Sequence, residues 1–153
     1  MPFTAIFQSP VVIAAFSAWF LAQMLKAPIE YISTKEWNWA LLISAGGMPS
    51  SHSALMTAVS SSIGHYQGFD TAVFALAFAI AAIVIYDAAG VRRQAGLHAQ
   101  RINLIIKEII ESKTWPEKDI KELREVIGHS PGEALGGIVF GLAISSIIWL
   151  IFP

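Results

Sequence analysis

Two histidines stand at polar breaks in an otherwise apolar chain, each beside residues suited to acid–base chemistry. The first, His52, ends the stretch Pro49-Ser50-Ser51-His52, directly before an apolar run. Ser50 or Ser51 can cap a helix there, and the free backbone N–H groups and dipole of a helix N-terminus favour a bound anion. His52, in the first helical turn, is then placed to donate a proton to a bound oxyanion.

The second histidine, His129, opens the last apolar run of the chain. Ser130 is a candidate N-cap, Pro131 suits the first helical position, and Glu133 completes a capping box. Because His129 and Glu133 are four residues apart, the carboxylate can hold one ring nitrogen of the imidazole. The other ring nitrogen is then free to act as a nucleophile or a base.

A third polar break carries Asp87, Arg92 and Arg93. Two arginines at the end of an apolar run can clamp phosphate oxygens. Each break also has a simpler interpretation: helix caps without chemistry, arginines that mark a membrane edge, and Asp87 paired with one of them. Lys26 is interpreted most simply as a snorkelling anchor, with a phosphate contact as the alternative. His65 and His98 are assigned no role.

The composition indicates a membrane protein. Of the 153 residues, 55% are hydrophobic and only 14% are charged, a balance too apolar for an ordinary soluble domain. The net charge of −1 predicts no nucleic-acid partner. With no cysteine, thiolate metal sites and cysteine nucleophiles are excluded. The length predicts a single membrane domain over 1–153.

Apolar runs predict the elements that position these breaks: an all-α integral membrane bundle of about four transmembrane spans with interfacial amphipathic helices. The first span lacks a basic leader and is expected to stay uncleaved. The span 53–66 is the weakest, because its serines suit a helix packed against other helices. Gly136, Gly137 and Gly141 permit close helix contact. The predicted spans are about 7–25, 53–66, 71–86 and 134–152.

Two segments outside the spans are predicted to be interfacial. Ala27–Met48 carries Trp37 and Trp39, which favour the membrane surface and a partly re-entrant path. Within the polar segment 91–128, isoleucines at helical spacing indicate an amphipathic helix on the membrane or on the other spans. Pro116 predicts the start of a second short helix. The isoleucines are Ile102, Ile105, Ile106, Ile109 and Ile110.

Basic residues predict the orientation. Eight of the ten lysines and arginines lie in 91–128, and the other two, Lys26 and Lys35, lie in the first loop. The positive-inside rule therefore places both loops in the cytoplasm and both termini outside. All three polar breaks then meet at the cytoplasmic face.

The stretches SAGGMPSSHSALMTAV, YDAAGVRRQAG and GHSPGEALGGIVFG together resemble the divergent, small bacterial branch of the type 2 phosphatidic acid phosphatase superfamily, which is related to acid phosphatases and vanadium-dependent haloperoxidases. The resemblance implies His52 as general acid, His129 as a nucleophile that forms a phosphohistidine, and Glu133 as the carboxylate that orients it. Ser50, Ser51 and nearby amides would hold phosphate. Ser51 stands where the superfamily usually has glycine, and Glu133 where it has aspartate.

The leading hypothesis is a metal-independent lipid phosphatase without a cofactor, in a bacterial plasma membrane. Arg92 and Arg93 would supply positive charge. The resemblance suggests phosphatidylglycerol phosphate or polyprenyl pyrophosphate as substrate, and the predicted cytoplasmic site favours the first. The alternatives are a non-catalytic protein that binds anionic lipid headgroups or a partner, a small transporter component, and a divalent-metal hydrolase. A homo-oligomer is left open.

Overall fold

A computed structural model describes residues 3–44, 46–111, 123 and 128–153. Within these ranges the chain forms helices and no strand, as the all-α prediction requires. The predicted helix start at Pro116 lies outside the described residues. Short 3₁₀ helices cover Phe3–Gln8 and Trp39–Ile43. The α-helices are α1 (Pro10–Thr34), α2 (Ser51–Gln67), α3 (Ala72–Ala89), α4 (Val91–Glu111) and α5 (Pro131–Ile151).

Three helical stretches are long and apolar enough to cross a membrane: Pro10–Thr34, Ala72–Ile109 and Pro131–Ile151. The protein is therefore an integral membrane protein. The helix α2 has 17 residues and spans about 25 Å, less than the ~30 Å hydrocarbon core of a bilayer. A full crossing by the predicted span 53–66 accordingly stays a prediction.

The serine-rich helix α2 lies at the centre of the bundle and packs against α1, α3 and α5. Its contact with α1 is made by small side chains, since Ala18 and Ala22 of α1 meet Ala54 and Ala58 of α2 in one buried cluster. Small residues let helix backbones approach closely. The low hydropathy of α2 thus reflects a helix surrounded by protein rather than by lipid.

The helices α2 and α5 run parallel and touch along a row of small residues. A Cβ atom on Gly137 would collide with Ser50 O and would come within 2.8 Å of Ser53 Cβ. Two turns further on, the Oγ of Ser145 donates to the Oγ of Ser61 at 2.9 Å. This parallel packing brings the N-termini of α2 and α5 to the same end of the bundle.

The helix α1 extends further than the predicted first span. It continues from Leu25 through Pro28 to Thr34, so the first part of the predicted interfacial segment Ala27–Met48 is helical. The remainder folds back: Trp37 stacks between Tyr31 and Trp39, with ring centroids 4.6 and 5.0 Å apart. These exposed rings fit the membrane surface.

The helix α4 begins one residue after α3, at a break on Gly90. It confirms the helix predicted from the isoleucine spacing. Ile102, Ile105 and Ile109 are all more than two-fifths exposed, so this apolar stripe is available to a membrane surface.

Candidate active site

Backbone hydrogen bonds join the three polar breaks at one end of the bundle. The Ser50 N–H, before α2, donates to the carbonyl oxygen of Glu133 in α5 at 2.9 Å. The His129 N–H, before α5, donates to the carbonyl oxygen of Ala88 at the end of α3 at 3.0 Å. The residues that the sequence places at three separate breaks therefore form one cluster.

Both predicted helix caps are present. The Oγ of Ser50 accepts a hydrogen bond from Ser53 N–H at 3.2 Å, which makes Ser50 the N-cap of α2 and Ser51 its first helical residue. The Oγ of Ser130 accepts from Glu133 N–H at 3.3 Å at the start of α5. Both Ser50 and Ser51 are buried, so the N-terminus of α2 lies inside the cluster and not at an open surface.

The imidazole of His129 is held by Glu133, as the four-residue spacing predicts. The Nδ1 of His129 lies 2.9 Å from Oε2 of Glu133. Since a carboxylate can only accept, Nδ1 carries the proton in the neutral ring, and Nε2 presents a lone pair. The ring is only 2% exposed. Its Nε2 is buried and finds no hydrogen-bond partner among the described residues.

The second histidine faces the first. The ring centroids of His52 and His129 are 5.9 Å apart, and the rings meet edge to face. The Nδ1 of His52 is also buried, with no hydrogen-bond partner within the described part of the chain. Buried polar atoms are nearly always paired in proteins, because an unpaired one costs about 1–3 kcal/mol. Two such atoms on neighbouring rings leave unused hydrogen-bonding capacity within one small region of the structure.

The structure corrects the snorkelling interpretation of Lys26. The side chain is 1% exposed, and its Nζ donates to the carbonyl oxygen of Ser44 at 3.0 Å. The segment after the second 3₁₀ helix folds over the lysine. A Cβ atom built on Gly47, whose φ is 90°, would lie 3.6 Å from the Cδ of Lys26. Lys26 is thus kept inside the protein, where it interacts electrostatically with Glu133 and lowers the pKa of His52.

Gln23 supports this arrangement, and the sequence analysis missed it. Its Nε2 lies within 3.2 Å of three carbonyl oxygens, those of Leu41, Leu42 and Ser44. Gln23 lies one turn before Lys26 on α1, so the two side chains together fix the returning segment. An amide inside the first apolar run was the available signal, since polar side chains in membrane helices usually face protein.

The third break contributes an ion pair. The Nε of Arg92 donates to Oδ2 of Asp87 at 2.5 Å, and both side chains are substantially exposed. Asp87 therefore orients Arg92, in agreement with the simpler interpretation of that aspartate. Arg93 is exposed beside it. A Cβ on Gly128 would lie 2.6 Å from Arg93 Cα, so the chain entering His129 passes directly against the start of α4.

The electrostatics of His52 favour an anion. His52 precedes the apolar segment 53–66, and burial is the largest cause that lowers the pKa of its imidazole. His129, Arg92 and Lys26 lower this pKa further by their charge, while Asp87 opposes them. Neighbours that make a proton on His52 less favourable make a negative group beside it more favourable.

Comparisons with known proteins show which family the chain resembles. Residues 7–144 match a family described as the divergent PAP2 family. The uncharacterized membrane protein YuiD of Bacillus subtilis (strain 168) is 36% identical over 148 residues, which cover 92% of this chain and 94% of the relative. No solved structure matches the chain. The matched region contains all three polar breaks.

Proposed function

The chain belongs to the divergent PAP2 family, and from that premise we propose that it is a lipid phosphatase that works through a phosphohistidine. The observation that carries the proposal is the state of His129: one ring nitrogen lies on Glu133, and the other is buried without a partner opposite His52. This is the arrangement that an activated nucleophile needs, with the orienting group on one side and a free lone pair on the other.

In the proposed reaction, the lone pair on Nε2 of His129 forms a bond to phosphorus as the bond between phosphorus and the leaving oxygen breaks. A protonated His52 gives its proton to that oxygen, which leaves as the lipid alcohol or lipid phosphate. Neutral His52 then takes a proton from water, whose oxygen attacks phosphorus. The bond from phosphorus to Nε2 breaks, and inorganic phosphate is released.

The surrounding groups would stabilise the charge that develops on the phosphoryl oxygens. Lys26 would supply a buried cation, and the N-terminus of α2 would supply backbone N–H groups after its cap Ser50, beginning with that of Ser51. Arg92, oriented by Asp87, and Arg93 would close the site from the membrane surface. No cofactor is needed for this chemistry.

The proposed substrate is a membrane lipid that carries a phosphate or pyrophosphate. The helices around the site are membrane helices. A lipid substrate can therefore place its headgroup in the site while its chains stay in the bilayer. The positive-inside rule places the site at the cytoplasmic face. That side favours phosphatidylglycerol phosphate over polyprenyl pyrophosphate as the first substrate to test.

The deciding experiment measures phosphate release by purified protein in detergent with EDTA, over a panel of lipid phosphates. We expect release by wild type and its loss, by about a thousandfold or more, in His129→Gln, because the nucleophile is removed. His65→Gln is the matched control, since His65 stacks on Trp149, near the other end of the bundle, and should keep full activity.

Retention of activity by His129→Gln would overturn the phosphohistidine mechanism, and loss of activity in EDTA would favour the divalent-metal alternative. If folded wild type releases no phosphate from any lipid, the better description is a protein that binds anionic headgroups. A transporter component would show neither release nor headgroup binding.

A further inference from the structure

A long apolar groove lies between α3 and α5, and part of its floor is formed by α2. It consists of two cavities of about 390 and 470 Å³. Both are lined by Ala82, Ile85 and Ile138, so they are neighbours along the same pair of helices. Its walls are almost entirely apolar, apart from Thr57, Ser60 and Ser61 of α2.

One end of this groove adjoins the candidate active site. Gly90, Pro131 and Ala134 line it there. Gly90 lies two residues before Arg92, and Pro131 lies two residues after His129. The backbone bond from His129 N–H to Ala88 O joins the two walls at this end. The groove therefore begins within two residues of Arg92 and of His129 along the chain.

Aromatic rings line the other end. Phe74 contacts Phe69 and Phe78, with ring centroids 5.1 and 6.0 Å away, and all three line the cavity. From Phe74 to Ala89 the wall formed by α3 is about 22 Å long, at 1.5 Å per residue. One leaflet of hydrocarbon is about 15 Å deep, half of the ~30 Å core. The groove is thus long enough for one extended chain from a single leaflet.

We propose that the α3/α5 groove binds one hydrocarbon chain of the lipid whose phosphate occupies the site between His52 and His129. This inference rests on the proposed function for the identity of the headgroup, and it adds where the tail lies and what limits its length. The phenylalanines at the far end are the last side chains of the groove that an extended chain would contact. The chain aligns the lipid so that its phosphate stands at the open end, beside Arg92 and the two histidines.

The first test compares two alanine-to-phenylalanine variants on α3. Ala82 lines both cavities, whereas Ala79 is exposed and lines neither. We expect Ala82→Phe to lower kcat/KM for a C16 lipid phosphate relative to a C4 analogue by about tenfold or more, the effect of losing about two buried methylenes. Ala79→Phe should leave that ratio unchanged. An unchanged ratio in Ala82→Phe, in an enzyme that is active on the C16 substrate, would overturn the inference.

A second test needs no catalysis and so separates this inference from the proposed function. The probe is hexadecyl phosphate with a photoreactive diazirine at the end of its chain. We expect it to label Phe74, Phe78 or Leu142 in wild type and to lose that labelling in Ala82→Phe. The same alkyl probe without phosphate should label the groove no more than other lipid-facing surfaces.

The outcomes are distinct. Groove labelling by the phosphate probe in a protein that releases no phosphate would uphold the tail site and reject the phosphatase. Equal labelling by both probes would identify a surface filled by bulk lipid and reject the tail site. Protection of the groove on dimerisation, without labelling by either probe, would assign it to a second copy of the chain.

Discussion

The imidazole of His129 derives its proposed role from an asymmetry between its two nitrogens. Glu133 fixes Nδ1 at 2.9 Å, while Nε2 is buried with no partner among the described residues. A histidine that merely fills space in a core usually has both nitrogens satisfied. Lys26 is similar: its Nζ, which carries three donors, donates to the carbonyl oxygen of Ser44 at 3.0 Å. In the proposed reaction, the unused capacity of both residues would serve the phosphate.

At this scale we predict a bell-shaped pH dependence of activity, because His129 must be neutral and His52 must be protonated. Burial and the neighbouring charges lower the pKa of His52 from 6.5. In the free enzyme the protonated acid is therefore lost as the pH rises through a value below 6.5, and kcat/KM falls there. A bound phosphate adds negative charge, raises that pKa again, and moves the fall in kcat to higher pH.

The measurement is kcat and kcat/KM from about pH 5 to pH 9 for wild type and for His52→Gln. The phosphate group itself titrates near pH 6, so the limb that belongs to His52 is the one that disappears in the variant. A flat profile, or an alkaline limb that persists unchanged in His52→Gln, would contradict the assignment.

At the scale of the helices, the site depends on the parallel contact of α2 with α5. Parallel helices place two N-termini side by side, and each N-terminus concentrates unpaired N–H groups and the positive end of a helix dipole. The contact is close because Gly137 and Gly141 of α5 lie against the backbone of α2 at Ser50 and Ala54. A larger residue at either glycine would separate the two halves of the site.

We predict that Gly137→Ala destabilises the protein by roughly 1–3 kcal/mol, the usual effect of overpacking, and reduces phosphate release. The added Cβ meets Ser50, whose N–H bonds to Glu133 O. Gly136→Ala is the matched control: its Cβ would meet the flexible end of Met48 at 3.0 Å and should be tolerated. Thermal unfolding in detergent measures both. Equal losses of Tm in the two variants would refute the close-contact account.

At the scale of the whole molecule, the direction of the bundle in the membrane decides which lipids reach the site. The C-terminal half of α1 and the C-terminal end of α3 reach the site, and α2 and α5 bring their N-terminal ends. The basic residues lie mostly in 91–128, which follows α3. The charge distribution therefore predicts that the site faces the cytoplasm.

Single-cysteine labelling tests this orientation, because the natural chain has no cysteine. We expect Asp70→Cys, before α3, to react with a membrane-impermeant maleimide in intact cells. Gln100→Cys, in α4, should react only after permeabilisation. Both positions are exposed. The reverse pattern would place the site outside, and labelling of both from one side would mean that α3 does not cross.

Much of the local chemistry was predictable from the sequence, because it depends on neighbours within one helical turn. The caps at Ser50 and Ser130 and the pair His129–Glu133 involve residues three or four apart, and each is present as predicted. The apolar runs predicted a helical membrane bundle for the same reason, since hydropathy and helical spacing are properties of contiguous residues.

The tertiary structure alone decided what lies between distant parts of the chain. The bond from Lys26 to Ser44 crosses 18 residues and that from Ser145 to Ser61 crosses 84, and neither leaves a local pattern. From its position at the end of an apolar run, Lys26 is expected to be a surface anchor, but in the structure the returning segment covers it. The serines of α2 make it a weak transmembrane span by hydropathy, but in the structure three helices surround this helix. Burial is set by which surfaces meet, so the sequence determined the chemical groups, whereas the packing of the helices determined which of them share a site.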